Sequence, residues 1–523
     1  MRIPVGRHGP RLSSAWWRGA AALLAGALPA LAFPAPALWW SAYGALVPLL
    51  LLVRSAGSVR RAALDGWLGG TGFMLAVHHW LLPSLSVFIV VLAGLLGLLW
   101  APWGVLVRSA MGGRPSVPRA LTAVVVVPSG WLVVELCRSW QGLGGPWGLL
   151  GASQWQVPFA LRLASVGGVW LVSLLVVAVN TAVALLVVLR PARIAMVSAL
   201  MVCALLTGAV WMWAPHMREE GRIRIAVVQP GVIENGDARF ARGEALTRAL
   251  AGRHVDLVVW GESSVGQDLA ARPDLAARIA KLSTEVGADI LVNVDARRSD
   301  KPGIFKSSVL VGPHGPTGQR YDKMRLVPFG EYIPARSLLG WATSVGKAAD
   351  EDRRRGTTPV VMTLPDAVRV GPLVCFESAF PDMSRHLVRG GAQLLIAQSS
   401  TSSFQDTWAP AQHASLAALR AAETGRSMVH ATLTGISAVH GPDGARIGAW
   451  LPTSASTSAV YDVPLATGTT PYVRLGDWAV YAALVALAGY CAAEGARAFR
   501  KPVPGPPAPP SRTARESPAR PGR

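Results

Sequence analysis

Cys375 closes an apolar, strand-like run, Arg369-Val-Gly-Pro-Leu-Val-Cys-Phe-Glu-Ser378, and is the only cysteine in the long non-hydrophobic block of the chain. The other three, Cys137, Cys203 and Cys491, fall in apolar stretches. With no second thiol in its block, Cys375 has no disulfide partner there and reads as a nucleophile. Two more segments place polar groups where strand or loop ends would present them. Val259-Trp-Gly-Glu-Ser-Ser264 carries Glu262, and Tyr321-Asp-Lys-Met-Arg-Leu-Val-Pro-Phe-Gly-Glu-Tyr-Ile-Pro334 carries Lys323 and Glu331. Taken singly, a Glu after an apolar strand is a cap or ion-pair partner, a loop Lys is solvated, and a strand Cys is a small buried hydrophobe. Together they supply what thiol chemistry needs. A thiol of pKa about 8.5 is a modest nucleophile until a cation or base favours the thiolate. Lys323 can provide that charge and face the oxyanion of a tetrahedral intermediate. Glu262 follows the mostly apolar run Val255–Trp260, so burial is expected to raise its pKa and fit it to take the thiol proton and return it to a leaving group.

The rest of the chain must hold these groups. Of 523 residues, 51% are hydrophobic and 20 are Trp, a composition of an integral membrane protein that also carries a folded domain. Apolar runs at 16–33, 38–53, 63–83, 84–107, 120–137, 164–189, 192–214 and 477–493 give about eight expected membrane helices, each near the length that crosses a hydrocarbon core of about 30 Å. Basic residues alternate between the loops. Arg2, Arg7, Arg11 and Arg18 precede the first run, Arg54, Arg60 and Arg61 follow the second, Arg108, Arg114 and Arg119 the fourth, and Arg190 and Arg193 the sixth. Loops 34–37 and 80–84 have none, and 138–163 has only Arg138 and Arg162. Both termini are therefore expected in the cytoplasm, with the block between runs seven and eight facing outward. The first run, with further runs directly behind it, reads as a retained helix rather than a cleaved signal.

The net charge of +20 does not imply nucleic acid, because residues 215–475 hold 29 Lys and Arg against 25 Asp and Glu. Much of the excess lies at the ends, including Arg497, Arg500, Lys501, Arg512, Arg515, Arg520 and Arg523 in a Pro-rich tail that reads as disordered and suited to anionic lipid. The expected division is a membrane domain at 1–214 with about seven helices, an outer domain at 215–473, a last membrane helix at 474–495 and the tail at 496–523.

From about residue 222 the pattern becomes α/β. Runs 223–230, 255–262, 288–296, 307–312, 370–377 and 392–399 read as strands, and 267–286, 379–389 and 409–424 as helices. His440-Gly-Pro-Asp-Gly444 reads as a turn between strands 427–440 and 445–450. No Walker loop, strand-linked glycine fingerprint or His-Glu-x-x-His zinc motif occurs, so neither a cofactor nor a metal is expected. The pair His78-His79, at the outer end of the third run, reads as interfacial rather than metal-binding, and Trp16, Trp17, Trp39, Trp40, Trp80, Trp211 and Trp213 as anchors at span ends.

The ordered Glu, Lys and Cys segments resemble the signature of the nitrilase superfamily. A helix bundle ahead of that domain, one helix behind it, and the string Lys-x-x-Leu-Val-Pro-Phe-Gly-Glu-Tyr-x-Pro resemble its membrane-embedded branch, the apolipoprotein N-acyltransferase family. In the membrane half, Glu135-Leu-Cys-Arg138, Gly145-Pro-Trp-Gly148 and Gly151-Ala-Ser-Gln154 resemble the family's outer-loop motif. The resemblance implies a nitrilase-like αββα sandwich in which Cys375 is the nucleophile, Glu262 the proton acceptor and Lys323 the oxyanion partner. It adds Glu331 and Glu377 as supporting acids. Glu377 shares strand parity with Cys375, so both side chains would leave one face if the strand continues that far. It also implies a phospholipid acyl donor, a thioester on Cys375, and an apolipoprotein acceptor acylated on the α-amino group of its S-diacylglyceryl cysteine. Trp147, Phe376 and Phe404 are the residues expected at the lipid entrance.

The match departs from the family pattern at two places. Gln398-Ser-Ser-Thr-Ser-Ser-Phe404 replaces an Asn-Asp-x-Trp-Phe type string, and Phe376 takes a position where Tyr is common. The first change bears on substrate preference, since that loop is expected to border the acyl pocket. Two other functions fit less of the chain. A membrane-anchored amidase would use the same trio on a C–N substrate but has no need of eight helices. A non-catalytic lipoprotein-binding partner has no need of an intact trio.

Overall fold

The structure, a computed structural model, describes residues 15–340 and 351–499. The expectations for Arg2, Arg7, Arg11 and the tail from Arg500 onward fall outside those residues. Every apolar run of the sequence is helical over much of its length. Among the described residues, Val117–Arg138, Pro158–Val188, Arg190–Trp213 and Trp478–Arg497 are long and apolar enough to cross a bilayer, and Phe88–Gly97 with Trp100–Met111 makes a fifth if that pair, bent by 41°, is one span. The earlier runs form shorter or more polar helices at Ala15–Ala27, Val47–Arg54 and Val59–His78.

The helix Pro158–Val188 is broken at Gly167 and Gly168, where φ reaches +69° at Gly168, and the ring of Tyr472 fills the space a side chain there would need. The break frees the amide of Val169, which donates to the Glu423 carboxylate of the α/β domain at 2.7 Å. Glu423 is paired in turn with Arg420, whose Nη1 donates to the carbonyl of Ala379 at 2.8 Å.

The α/β domain is built on two sheets. One has the order β11-β1-β2-β3-β4-β5, from β1 (Arg218–Gln229), β2 (Leu257–Trp260), β3 (Asp289–Arg297), β4 (Ile304–Gly312), β5 (Gly315–Asp322) and β11 (Thr457–Thr467). The other has the order β10-β9-β8-β7-β6, from β6 (Met362–Thr363), β7 (Arg369–Val374), β8 (Leu394–Ser399), β9 (Ser427–Thr432) and β10 (Ala438–His440). β1, β2 and β3 are parallel, as are β7, β8 and β9.

Strand parity sorts the apolar residues into layers. Ile225, Val227, Leu257 and Val259 meet Val374, Leu394, Ile396 and Val429 between the sheets. Ala226, Val228, Val258 and Trp260 point the other way, onto Leu246 of helix Gly236–Arg248 and Ile279 and Leu282 of helix Pro273–Val286. Leu373, Leu395 and Ala397 face helices Pro381–Arg389 and Ala409–Thr424, and that layer is continuous with the core of the membrane half. The result is a four-layer αββα sandwich whose second helical layer also packs against the bundle.

Three expectations need correction. The strand carrying Cys375 ends at Val374, because Cys375 has φ +51° and opens a 3₁₀ turn over Cys375–Ala379. The stretch 427–440 is two strands folded on each other, Ala438 opposite His430, with only single bridges at Arg446 and Leu451 beyond the turn. The helix expected from 267 begins at Pro273, where the ring presets the first turn.

Candidate active site

Glu262, Lys323 and Cys375 each lie one or two residues beyond a strand end, after β2, β5 and β7 respectively. β5 runs in the same direction as β2 because two antiparallel steps, β3 to β4 and β4 to β5, separate it from the parallel set. Side chains just past the ends of co-directional strands converge in one crevice. The Lys323 ammonium, fully buried, sits 3.3 Å from Glu262 Oε1 and 2.8 Å from Glu331 Oε1. Glu331 fixes its own loop as well, accepting from the Val327 amide at 2.8 Å. Glu331 thus pairs with the Lys323 ammonium and holds its own loop at once.

Lys306, on β4, is a fourth member that its sequence context hid. Its Nζ is 2.8 Å from Glu262 Oε1, 3.1 Å from Glu331 Oε1 and 3.7 Å from Asp295 Oδ2. This overturns the expected direction for Glu262. Burial alone would raise its pKa, but two adjacent ammonium groups and the nearby Cys375 thiol hold it down to about 2. Glu331 is lowered for the same reason, its burial outweighed by Lys323 and Lys306.

Cys375 is half-buried, yet the thiol is pushed up to about 12 by desolvation first and by the Glu262 charge second, against the pull of Lys323 and Lys306. At rest the site thus holds a protonated thiol beside an ionised carboxylate. The Lys323 charge, expected to favour the thiolate, is outweighed there by desolvation and the Glu262 charge. Moving the proton from sulfur to Glu262 leaves the net charge of the cluster unchanged, so transfer can accompany attack.

The turn at Cys375 is held from behind. Glu377 does not share a face with Cys375; it is fully buried under the turn, accepting from the Val374 amide (2.8 Å), the Tyr321 hydroxyl (2.7 Å) and the Met324 and Arg325 amides (2.6 and 3.0 Å). One carboxylate so ties the Cys375 turn to the Lys323 loop. His413, also missed in the sequence, meets the Cys375 carbonyl through Nε2 at 3.1 Å and Ser399 Oγ through Nδ1 at 3.1 Å. Burial lowers its pKa to about 4, which keeps the ring neutral. The left-handed backbone at Cys375 is braced on both sides, as a strained functional residue must be.

The loop from 139 to 157 brings the membrane half to this crevice. Glu135 accepts from Trp131 Nε1 and the Leu150 amide, and Arg138 donates to the Trp147 carbonyl at 2.5 Å, so the two residues expected in an outer-loop motif clamp that loop. Gln141 donates to the Leu326 carbonyl beside Lys323 at 2.8 Å, and Trp147 donates to Gln412 Oε1 at 2.8 Å, one residue before His413. Trp147 is buried rather than open to the membrane, and it begins a row of rings. Its centroid is 5.2 Å from Trp80, which is 5.0 Å from Phe404. Trp80 thus packs in this row instead of anchoring a span end, and His79 packs on Trp408 at 4.3 Å. Phe376 is buried against Phe380.

The altered loop 398–404 does border the nucleophile: Cys375 Sγ lies 3.9 Å from the Ser400 carbonyl. Gln398 bridges the sheets, accepting from Ser308 Oγ and donating to the Trp260 carbonyl.

Residues 25–182 match the family described as apolipoprotein N-acyltransferase N-terminal domain, and residues 224–470 match the family described as carbon-nitrogen hydrolase. The chain is 30% identical to the apolipoprotein N-acyltransferase of Geobacter metallireducens over 89% of its own length and 94% of that protein's. It is 29% identical to the apolipoprotein N-acyltransferase of Pseudomonas syringae pv. tomato, over 91% and 96% respectively. Among solved structures, an amidase from Nesterenkonia sp. aligns with 92% of its chain and 47% of this one at 18% identity and a TM-score of 0.34.

Proposed function

The chain belongs to the apolipoprotein N-acyltransferase family, and from that premise we propose the following reaction for it. A fatty acyl chain moves from a membrane phospholipid to the α-amino group of an S-diacylglyceryl cysteine at the N-terminus of an apolipoprotein, through a thioester on Cys375. The observation that carries the reading is the placement of a half-buried thiol with a buried carboxylate and ammonium directly against a loop of an apolar helix bundle.

In the first half-reaction Cys375 Sγ attacks the ester carbonyl carbon while Glu262 takes the thiol proton. The oxyanion forms facing Lys323, whose charge is released as Glu262 is neutralised. Collapse breaks the ester C–O bond, and Glu262 returns the proton to the departing lysophospholipid oxygen. In the second half-reaction the neutral α-amino group attacks the thioester carbonyl. Glu262 accepts a proton from that nitrogen and delivers it to the departing sulfur, restoring the thiol. Burial of the crevice disfavours water as the competing nucleophile. The row Trp147, Trp80 and Phe404, with Phe376 nearby, forms the apolar wall for the acyl chain.

This reading carries a topology. About eight helices span the cytoplasmic membrane, seven of them within 1–214 and the last within 474–495. Both termini are cytoplasmic, and the catalytic domain, 215–473, lies on the outer face, with a basic tail at 496–523. Charge alternation in the loops supports it. Hydrolysis of a free C–N substrate and non-catalytic lipoprotein binding are not favoured, since the match extends through the membrane half.

Intact-mass measurement of the purified protein after incubation with phospholipid tests the scheme. One added fatty acyl group, released by neutral hydroxylamine and absent from Cys375→Ala, is expected. No adduct on a folded sample would reject it.

A further inference from the structure

We propose that Lys306 is a positioning residue of the reaction, a second ammonium that neutralises the Glu262 and Glu331 carboxylates so that Lys323 remains available to the oxyanion. The proposal deepens the scheme above and rests on Glu262 as its base.

Two carboxylates sharing one dry site cannot both stay ionised on a single cation; one takes up a proton. Glu262 and Glu331 share such a site, both reaching the Lys323 ammonium through their Oε1 atoms. Were Lys323 their sole partner, the protonated member would be lost as a base whenever it was Glu262. Lys306 removes the conflict. It lies closer to Glu262 Oε1 than Lys323 does, 2.8 Å against 3.3 Å, and contacts Glu331 at 3.1 Å.

The backbone supports the same division of labour. Lys306 is paired with Asp295 across β3 and β4, and its carbonyl accepts the Lys323 amide at 2.8 Å. One residue therefore holds the main chain of Lys323 while its ammonium shares the carboxylates.

The groups facing Glu262 are Lys306 from β4, Lys323 and Glu331 from the loop after β5, the Cys375 thiol after β7, and His413 from helix Ala409–Thr424. Asp295 of β3 is a further anion on Lys306, and it is 3.5 Å from Arg353 Nε. When the thiol proton reaches Glu262, two ammonium groups face one remaining carboxylate of the pair. The oxyanion then restores the balance.

The test is the pH dependence of single-turnover acyl-enzyme formation by full-length protein in detergent with phospholipid, read by intact mass. In Lys306→Met the acid limb should move up by at least about one pH unit relative to the wild type, because removing a cation raises the pKa of Glu262. Lys306→Arg should restore the wild-type limb. Lys306→Met with Glu331→Gln should bring the limb back down while the rate stays low, since one competing carboxylate is gone. Circular dichroism and thermal melting identify a misfolded Lys306→Met sample, in which case the limb of Lys306→Gln decides. An unchanged rate, or a lowered rate with the acid limb left at its wild-type position, would overturn the proposal. Glu262→Gln separates the two levels: if it still forms the acyl-enzyme, the base assignment fails, and not merely the role of Lys306.

Discussion

Gly145 of the membrane half lies so close to Phe376 that a β-carbon on it would be 2.6 Å from the tip of that ring and 2.7 Å from Phe380. The residue also has φ +69°, so a side chain there meets strain and a clash together. Phe376 directly follows the nucleophile, which makes Gly145 a gauge of the distance between the two halves. Gly145→Ala should destabilise the protein by about 1–3 kcal/mol and slow acyl-enzyme formation. Pairing it with Phe376→Leu should recover part of the stability, measurable as Tm in detergent.

Cys375 should resist alkylation. With its thiol held up to about 12, against an ordinary value near 9, the reactive thiolate is scarce at neutral pH. In a chain whose Cys137, Cys203 and Cys491 are replaced by Ser, iodoacetamide labelling should rise about tenfold per pH unit from about 7 to about 10. A plateau below pH 8 would show a preformed thiolate. The linked effect on stability has the same sign. Because the folded-state value is raised, the contribution of Cys375 is present below about 9 and is lost as pH climbs toward 12.

Glu331→Ala should reduce kcat by at least about a hundredfold with little change in KM for phospholipid. It removes a partner from a buried ammonium, a change of about 3–5 kcal/mol in comparable sites, yet nothing places it on the acyl wall. Initial rates against phospholipid concentration separate the two constants. A rise in KM alone would contradict this assignment.

Trp147→Phe and Trp147→Ala should differ. The first deletes the hydrogen bond to Gln412, worth about 1 kcal/mol, and trims the indole while keeping an aromatic ring, and should leave the rate within about tenfold of the wild type. The second removes the ring that meets both Trp80 and His413, so KM for phospholipid should rise more than kcat falls. Equal loss in both variants would mean that the hydrogen bond, not the ring, is the functional contact.

Glu262, Lys323 and Cys375 were legible as candidates: Glu262 and Cys375 each follow an apolar run that can be read as a strand, and a strand end is where a polar group becomes presentable. Lys306 was not. A lysine at the head of a run such as Ile304-Phe-Lys-Ser-Ser looks like a solvated edge residue until β3 and β5 close over it on either side. Missing it reversed the direction assigned to Glu262. His413 was masked by the Ala-rich helix around it, whose pattern shows only a packing face.

β5 and β11 escaped notice for another reason: Gly315-Pro-Thr-Gly-Gln-Arg-Tyr-Asp322 is polar because it lies at a sheet edge. The positive φ of Cys375 accompanies a turn braced by Glu377 and by Tyr321, Met324, Arg325 and His413, most of them distant in sequence, so the strand was read three residues too far. That the apolar runs are helical was readable by length and hydropathy. The break at Gly167 and Gly168 was not, since glycine alone does not announce a kink.

That break bears on how the molecule is made. The amide it frees, Val169, finds its acceptor in Glu423, 254 residues later in the chain. During synthesis the helix emerges with a backbone donor that nothing nearby can satisfy, and a buried donor left in that condition costs about 1–3 kcal/mol. The ribosome must deliver nearly the whole α/β domain before the defect is repaired. A chain cut short of Glu423 therefore leaves the helix with an unpaired donor at its break, and the bundle is completed only after most of the α/β half has been made.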